Sequence, residues 1–108
     1  MINSKDKGKR GERHVAQMLR EYGYDAKRGV QYQGSPDSPD VIGLPKVHIE
    51  VKFTEKLNLW NALAQSENDA GADEMPIVVF KRNRSKDYVA LKFTDFMELY
   101  KAWEGQNK

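Results

Sequence analysis

The sequence predicts a single α/β domain in which helices flank a central mixed β-sheet. Three stretches place apolar residues at helical spacing, and short apolar or alternating stretches typical of β-strands lie between them. The chain has 108 residues without an internal repeat or a linker, which suits one domain with a modest core. The predicted order of elements, αβββαββα, is that of a layered α/β domain.

The first half of the chain supplies one helix and three strands. Apolar residues recur in the helix at the 3.6-residue period, and Gly23 ends it. The loop "QYQGSPDSP" is recognised by its Gly, Ser and Pro content, and Pro45 marks a turn between the last two strands. The pattern predicts a helix at Gly8–Tyr22 and strands at Tyr24–Val30, Asp40–Leu44 and Val47–Phe53.

The second half supplies two helices and two strands. The basic loop "KRNRSKD" joins an apolar run typical of a buried strand to an alternating run typical of an outer strand. We expect Thr94 to cap the last helix, whose apolar residues are spaced i, i+3, i+4 and i+7. The pattern predicts a helix at Leu57–Ala70, strands at Pro76–Phe80 and Tyr88–Phe93, and a helix carrying Phe96, Leu99, Tyr100 and Trp103.

The composition excludes several classes of protein. The chain is 39% hydrophobic and 31% charged, as in a soluble globular domain. It contains no cysteine, which excludes disulfide bonds and thiolate metal sites. No apolar run approaches the roughly 20 residues needed to span a bilayer, and the charged N-terminus "MINSKDKGKRGER" is unlike a secretory signal. We therefore expect an intracellular, cytoplasmic protein that does not act at a membrane.

The net charge of +2 is unevenly distributed along the chain. Residues 1–33 carry a balance of +4, residues 34–78 a balance of −5, and residues 79–108 a balance of +3. Two basic flanks around an acidic middle suit a protein that holds a polyanion and binds a metal ion between them. A solvated surface of mixed charge is the alternative interpretation of the same pattern.

The stretch "PDVIGLPKVHIEVK" predicts a hairpin that brings two carboxylates together. If Leu44–Lys46 form its loop, paired positions sum to 90, so Val41 faces Ile49 and Asp40 faces Glu50. Directly opposed side chains have Cβ atoms roughly 5 Å apart, and opposed like charges are destabilising unless something neutralises them. A divalent cation does so, and Mg²⁺ prefers oxygen ligands from one or two carboxylates.

Three further polar residues are candidates for the same site. Lys52 lies on the strand face of Glu50, where an ammonium can assist a nucleophile or stabilise charge on a phosphate; a solvent-exposed amphipathic strand is the alternative. Glu12 lies on the apolar side of the first helix, although the helix dipole could also favour an acid there. Gln65, on the second helix, can orient water or phosphate, or it is an ordinary surface residue.

Together, Glu12, Pro39-Asp40, Glu50-Val51-Lys52 and Gln65 resemble the motif set of the PD-(D/E)XK nuclease superfamily. The predicted order of elements resembles its restriction-endonuclease-like αβββαβ core as well. More narrowly, "KGKRGERHVAQMLREYGY", "GSPDSPDVIGL", "IEVK" and "ALAQ" are similar to archaeal-type Holliday junction resolvases and their phage relatives, over roughly residues 7–93.

The resemblance implies roles for individual residues. Asp40 and Glu50 would be metal ligands together with the Val51 carbonyl, and Lys52 would be the catalytic lysine. Glu12 would contact the metal through water, and Gln65 would be the polar residue carried by the second helix. The family also has a loop serine near the metal. Ser35 is its best match, Ser38 competes with it, and Asp37 competes with Asp40, although the hairpin pairing favours Asp40.

The resemblance also implies the activity: hydrolysis of DNA phosphodiester bonds with Mg²⁺, for which Mn²⁺ could substitute. The expected substrate is a four-way junction or another branched duplex, cut by a homodimer in the cytoplasm, the host's if the gene is a phage's. Phosphate contacts are expected from two basic clusters, the first formed by Lys7, Lys9, Arg10 and Arg13 and the second by Lys81, Arg82, Arg84 and Lys86. A repair or restriction nuclease, a non-catalytic nucleic-acid-binding module and an RNA-processing role remain alternatives.

Overall fold

The structure is a computed structural model that describes residues 4–29 and 39–107, with side chains from Gly8 onward. The predicted order of elements and the α/β class are confirmed. The elements are α1 (Ser4–Glu21), β1 (Lys27–Arg28), β2 (Val41–Ile42), β3 (Val47–Phe53), α2 (Leu59–Asp69), β4 (Met75–Lys81), β5 (Tyr88–Ala90) and α3 (Phe93–Gln106). Three strands are shorter than predicted: β1, β2 and β5.

The five strands form one mixed sheet in the order β1-β2-β3-β4-β5. The central strands β3 and β4 are parallel, and every other neighbouring pair is antiparallel. Val41 pairs with Ile49, which is the hairpin register that the sequence predicts. The connection between β2 and β3 places Gly43 and Lys46 at positive φ. Glycine adopts this conformation readily, whereas Lys46 adopts it at some steric cost.

The apolar core lies between α1 and one face of the sheet. Val15 and Ala16 of α1 are buried against Val41, Ile49 and Val51. Because residues i, i+3 and i+4 of a helix share one face, the apolar spacing of α1 directs this stripe at the sheet.

Helix α2 packs on the opposite face of the sheet. The side-chain oxygen of Asn58 caps its start by accepting a hydrogen bond from the Asn61 N–H. Ala62 and Ser66 are buried toward the sheet, and the Ser66 hydroxyl donates to the Ile77 carbonyl at 3.1 Å. The interface between α2 and the sheet therefore buries two residues of the helix and is partly polar.

Helix α3 differs from the prediction at its start and in its packing. It begins at Phe93 after Lys92, which makes no side-chain capping bond, so the expectation that Thr94 caps it is wrong. Within the described chain no α3 residue is buried, and the aromatic stripe of Phe96, Tyr100 and Trp103 lies on the surface. The spacing predicted the helix correctly, because amphipathic spacing specifies a helix but not what covers its apolar face. No helix among the described residues is long and apolar enough to cross a membrane.

Candidate active site

Asp40 is anchored at the start of β2, beside β3. Its backbone N–H donates to the Ile49 carbonyl at 2.9 Å, and its Oδ2 accepts the Val51 N–H at 2.8 Å. Since Val41 pairs with Ile49, the register places Asp40 next to Glu50, as the hairpin pairing predicts. Two hydrogen bonds from one short stretch of β3 therefore fix the position of this carboxylate.

The surroundings of Asp40 disfavour its negative charge. Burial raises its pKa from an ordinary value of 3.8 to about 6. The Val51 N–H opposes this shift by stabilising the carboxylate, whereas the neighbouring Glu50 carboxylate raises the pKa further. Glu50 itself is only 2% exposed. A buried carboxylate beside a partly buried one is an arrangement that a bound cation would stabilise.

Glu12 of α1 reaches the same region. Its side chain is 19% exposed, and the Arg28 Nε–H donates to its Oε1 at 3.0 Å. Burial raises the pKa of Glu12, the Arg28 hydrogen bond lowers it, and the negative charge of Asp40 raises it. Lys52 lowers the pKa of both Glu12 and Asp40, so its ammonium lies within electrostatic reach of both carboxyls. The structure thus brings together Glu12, Asp40, Glu50 and Lys52.

No hydrogen bond joins this centre to the other predicted site residues that the structure describes. Gln65 is exposed on α2, and its side chain makes no hydrogen bond within the described part of the protein. Ser35, Ser38 and Asp37 lie outside the described residues, as does the side chain of Lys7. Their proposed roles stay predictions.

Several site residues were not assigned by sequence reasoning. His48 is 1% exposed, and its Nε2 lies 2.9 Å from Glu50 Oε1. One ligand atom each from His48, Glu50 and Asp69 lie within 4.8 Å of one another. The alternation along β3 places His48 on the Glu50 face and could have identified it. Asp69 and Arg28 carry no such signal, because only tertiary packing brings them here.

The two predicted basic clusters meet at one side of the molecule. Arg10 of α1 and Lys81 and Arg82 at the end of β4 line a cavity of about 250 Å³, together with Gly11, His14, Phe53 and Asn83. Lys81 Nζ lies 5.8 Å from the centre of the Phe53 ring. The remaining described members of the two clusters, Lys9, Arg13, Arg84 and Lys86, are exposed. Phe53, which lines this cavity, directly follows Lys52 on β3.

A close approach of α1 to the sheet makes this arrangement possible. A Cβ atom at Gly11 would lie 2.9 Å from Cγ of Phe53, closer than real Cβ contacts. The ring of His14 also packs against Phe53, with centroids 5.6 Å apart. The helix can therefore lie this close to β3 only because residue 11 has no side chain.

These features define an α/β protein with a cluster of carboxylates and a lysine at the β2–β3 hairpin. The model of the family described as "Phage putative PDDEXK endonuclease" matches residues 3–108, and the chain belongs to this family. Among solved structures, the chain is similar to Hjc from Archaeoglobus fulgidus, a Holliday junction resolvase from an archaeal hyperthermophile. The TM-score is 0.60 at 27% identity, covering 78% of this chain and 76% of that one. No curated protein matches the sequence.

Proposed function

We propose that this protein is a Mg²⁺-dependent endodeoxyribonuclease that resolves Holliday junctions. The observation that carries the proposal is the pairing of Asp40 with Glu50, next to Lys52, in a member of a PDDEXK endonuclease family. The similarity to an archaeal Holliday junction resolvase supports the choice of a branched DNA substrate. Fold alone does not determine function, so the proposal depends on the residues of the site.

The donor set at the hairpin suits a hard divalent cation. Asp40 and Glu50 supply carboxylate oxygens, and the Val51 carbonyl, adjacent in the chain, could add a neutral oxygen. Mg²⁺ is usually held by one or two carboxylates, with water and substrate phosphate completing its shell, and Mn²⁺ accepts the same ligands. Burial, and then the neighbouring Glu50 carboxylate, raise the pKa of Asp40, so the surroundings disfavour a negative charge that no cation balances. A bound cation would lower the pKa of a water molecule and polarise the scissile phosphate.

The protein's own residues would position the reactants. The two hydrogen bonds that β3 makes with Asp40 hold its carboxylate in place before substrate arrives. Lys52 would orient the attacking water or stabilise the charge that develops on the phosphate. Glu12, held by Arg28, would accept a hydrogen bond from water at the edge of the site. Gln65 and a loop serine, Ser35 or Ser38, would add polar contacts.

The cavity lined by Arg10, Lys81 and Arg82 would hold the DNA backbone. Contacts between such side chains and phosphates position a duplex without reading its sequence, which suits recognition of a branched shape. A four-way junction has two equivalent strands to cut, so a two-fold symmetric homodimer is the expected assembly. A repair or restriction nuclease with the same chemistry is the second candidate, because the catalytic residues do not distinguish between these substrates.

A panel of DNA substrates tests both parts of the proposal. Four-way junction, flap, linear duplex and single-stranded DNA would be compared at equal concentration with Mg²⁺, and we expect the junction to be cut fastest. Cleavage should disappear in Asp40→Asn and persist in Asp73→Asn, which changes an exposed acid outside the site. Faster cleavage of linear duplex would favour the second candidate. Full activity of Asp40→Asn would refute the nuclease site itself.

A further inference from the structure

His48 is enclosed by acidic groups on the α2 face of the sheet. Its Nε2 lies 2.9 Å from Glu50 Oε1, and its Nδ1 lies 3.7 Å from Glu74 Oε1. The imidazole is 1% exposed, so water does not screen these charges. The proposed nuclease chemistry of Asp40, Glu50 and Lys52 gives this histidine no role of its own.

Asp69 adds a third carboxylate at the C-terminal end of α2. One ligand atom each from His48, Glu50 and Asp69 lie within 4.8 Å of one another. The C-terminus of a helix carries partial negative charge, so an acid in its last turn is unfavourable unless a cation is near. No basic residue occupies the last turn of α2. The acids and the helix end therefore concentrate negative charge around one buried imidazole.

We propose that His48, Glu50 and Asp69 bind a first-row transition-metal dication, with Zn²⁺ as the best match, at a second site next to the Mg²⁺ site. An imidazole nitrogen suits Zn²⁺, whereas Mg²⁺ prefers oxygen ligands. Three protein ligands around Zn²⁺ leave a fourth position for water. Glu50 bridges the two sites, because its Oε1 faces His48 while its carboxylate also neighbours Asp40.

The distances allow this coordination after a small side-chain movement. Bonds of about 2.0–2.1 Å to a tetrahedral Zn²⁺ place ligand atoms about 3.3 Å apart. The three ligand atoms already lie within 4.8 Å, and the partly exposed Asp69 has room to move closer.

Glu74 is placed to orient the histidine. Its Oε1 lies near His48 Nδ1 and accepts the Gly71 N–H at 2.7 Å. A metal-binding histidine usually donates its second ring N–H to a carboxylate, which fixes the ring and the tautomer. The present 3.7 Å is too long for a hydrogen bond, so Glu74 would become a positioning residue after a small approach, with Nδ1 carrying the proton and Nε2 free to bind the metal.

The site is tested by calorimetric titration with Zn²⁺. The protein is first stripped of transition metals, and the buffer contains excess Mg²⁺ to occupy the Mg²⁺ site. We expect one Zn²⁺ per chain, with at least about tenfold weaker binding in His48→Gln and in Asp69→Asn, and about tenfold weaker binding in Glu74→Gln. The control Asp73→Asn, a nearby exposed acid, should bind as the wild type does. Replacing Zn²⁺ by Co²⁺ should give a visible absorption band that disappears in His48→Gln.

Two results would overturn the proposal: no stoichiometric Zn²⁺ binding by the wild type, or equal binding by the wild type and Asp69→Asn. Asp69→Asn is included because His48 is buried and His48→Gln could unfold, which circular dichroism would reveal. Asp40→Asn separates this site from the proposed nuclease, since it should lose cleavage and keep Zn²⁺ binding. Intact Mg²⁺-dependent cleavage without Zn²⁺ binding would refute the second metal site alone. Zn²⁺ binding without cleavage would refute the nuclease alone.

Discussion

Helix α1 covers one face of the sheet with an apolar interface, where Val15 packs with Ile49 and Val51. Helix α2 covers the other face, where His48 and Glu50 are buried. Both sets of β3 residues come from one seven-residue strand, since successive side chains point to opposite faces. The difference indicates that the first face contributes most of the folding free energy, whereas the second holds the charges to which the proposed chemistry is assigned. Buried carboxylates are expensive unless they are paired or bind a cation.

The largest expected effect comes from the polar face. Glu50→Gln should reduce single-turnover DNA cleavage by roughly a thousandfold or more, because it removes a charge that the proposed metal site needs. The glutamine amide can still hydrogen-bond to His48 in either tautomer, so circular dichroism should show a folded protein. DNA binding should stay the same or tighten, since one charge that repels phosphate is gone. A turnover rate near that of the wild type would disprove the role of Glu50.

The neighbouring residue on the apolar face should behave in the opposite way. Ile49 is 1% exposed, and Ile49→Ala should lower the free energy of unfolding in urea by about 2–5 kcal/mol. The remaining folded protein should still cleave DNA. Ile42→Ala is the control, because Ile42 is already 38% exposed and should cost about 1 kcal/mol or less. Equal losses in the two variants would contradict a core centred on Ile49.

Glu12 is an acid on α1, the helix that covers the apolar face of the sheet. Its variant therefore tests whether this helix also contributes to cleavage. Glu12→Gln should slow cleavage by about 10- to 100-fold, the range seen when groups acting around a metal site are changed. Its melting temperature should change little, because the amide can still accept the Arg28 hydrogen bond. A purely structural Glu12 would give a lower melting temperature with a normal rate. Glu21→Gln, an exposed acid on the same helix, is the control.

The salt dependence of the affinity for DNA tests whether the basic cavity and the neighbouring loop contact phosphates. The affinity for duplex DNA should fall with salt, with a log–log slope of about −0.9 per phosphate contact. Replacing Arg82 and Arg84 together by alanine should flatten the slope by up to about two units. Lys101→Ala, on α3, should leave it unchanged. An unaltered slope in the double variant would show that this loop does not contact DNA.

The smallest effect is a dependence of stability on pH in the metal-free protein. The pKa of Asp40 is about 6 in the folded chain against 3.8 ordinarily, so between these values the folded protein holds a proton that the unfolded chain has released. Stability measured with a chelator should therefore fall as pH rises from about 4 to about 6, and level off above. Asp40→Asn should reduce this fall. An identical pH profile in the variant would contradict the buried carboxyl.

The sequence allowed the hairpin centre to be predicted because its information is local. Strand alternation and a three-residue loop determine which residues oppose each other, so Asp40 and Glu50 could be paired by position alone. Helix spacing likewise placed Glu12 beside the core. Asp69 approaches β3 only through the packing of α2, which no local pattern encodes. The exposure of α3 was also beyond the sequence, because an apolar stripe predicts a helix whether or not something covers it.

The absence of a side chain at residue 11 determines how closely α1 approaches Phe53, and two parts of the protein depend on this distance. Phe53 lies between Gly11 and His14 of α1 on one side and Lys81 on the other. One added methyl group at position 11 would push either the helix or the aromatic ring. A shift of the helix would move Glu12, the next residue, away from Asp40, and a shift of the ring would reshape the basic cavity. The position of Glu12 and the shape of the basic cavity thus depend on the same distance between α1 and Phe53. A substitution at residue 11 is expected to affect both.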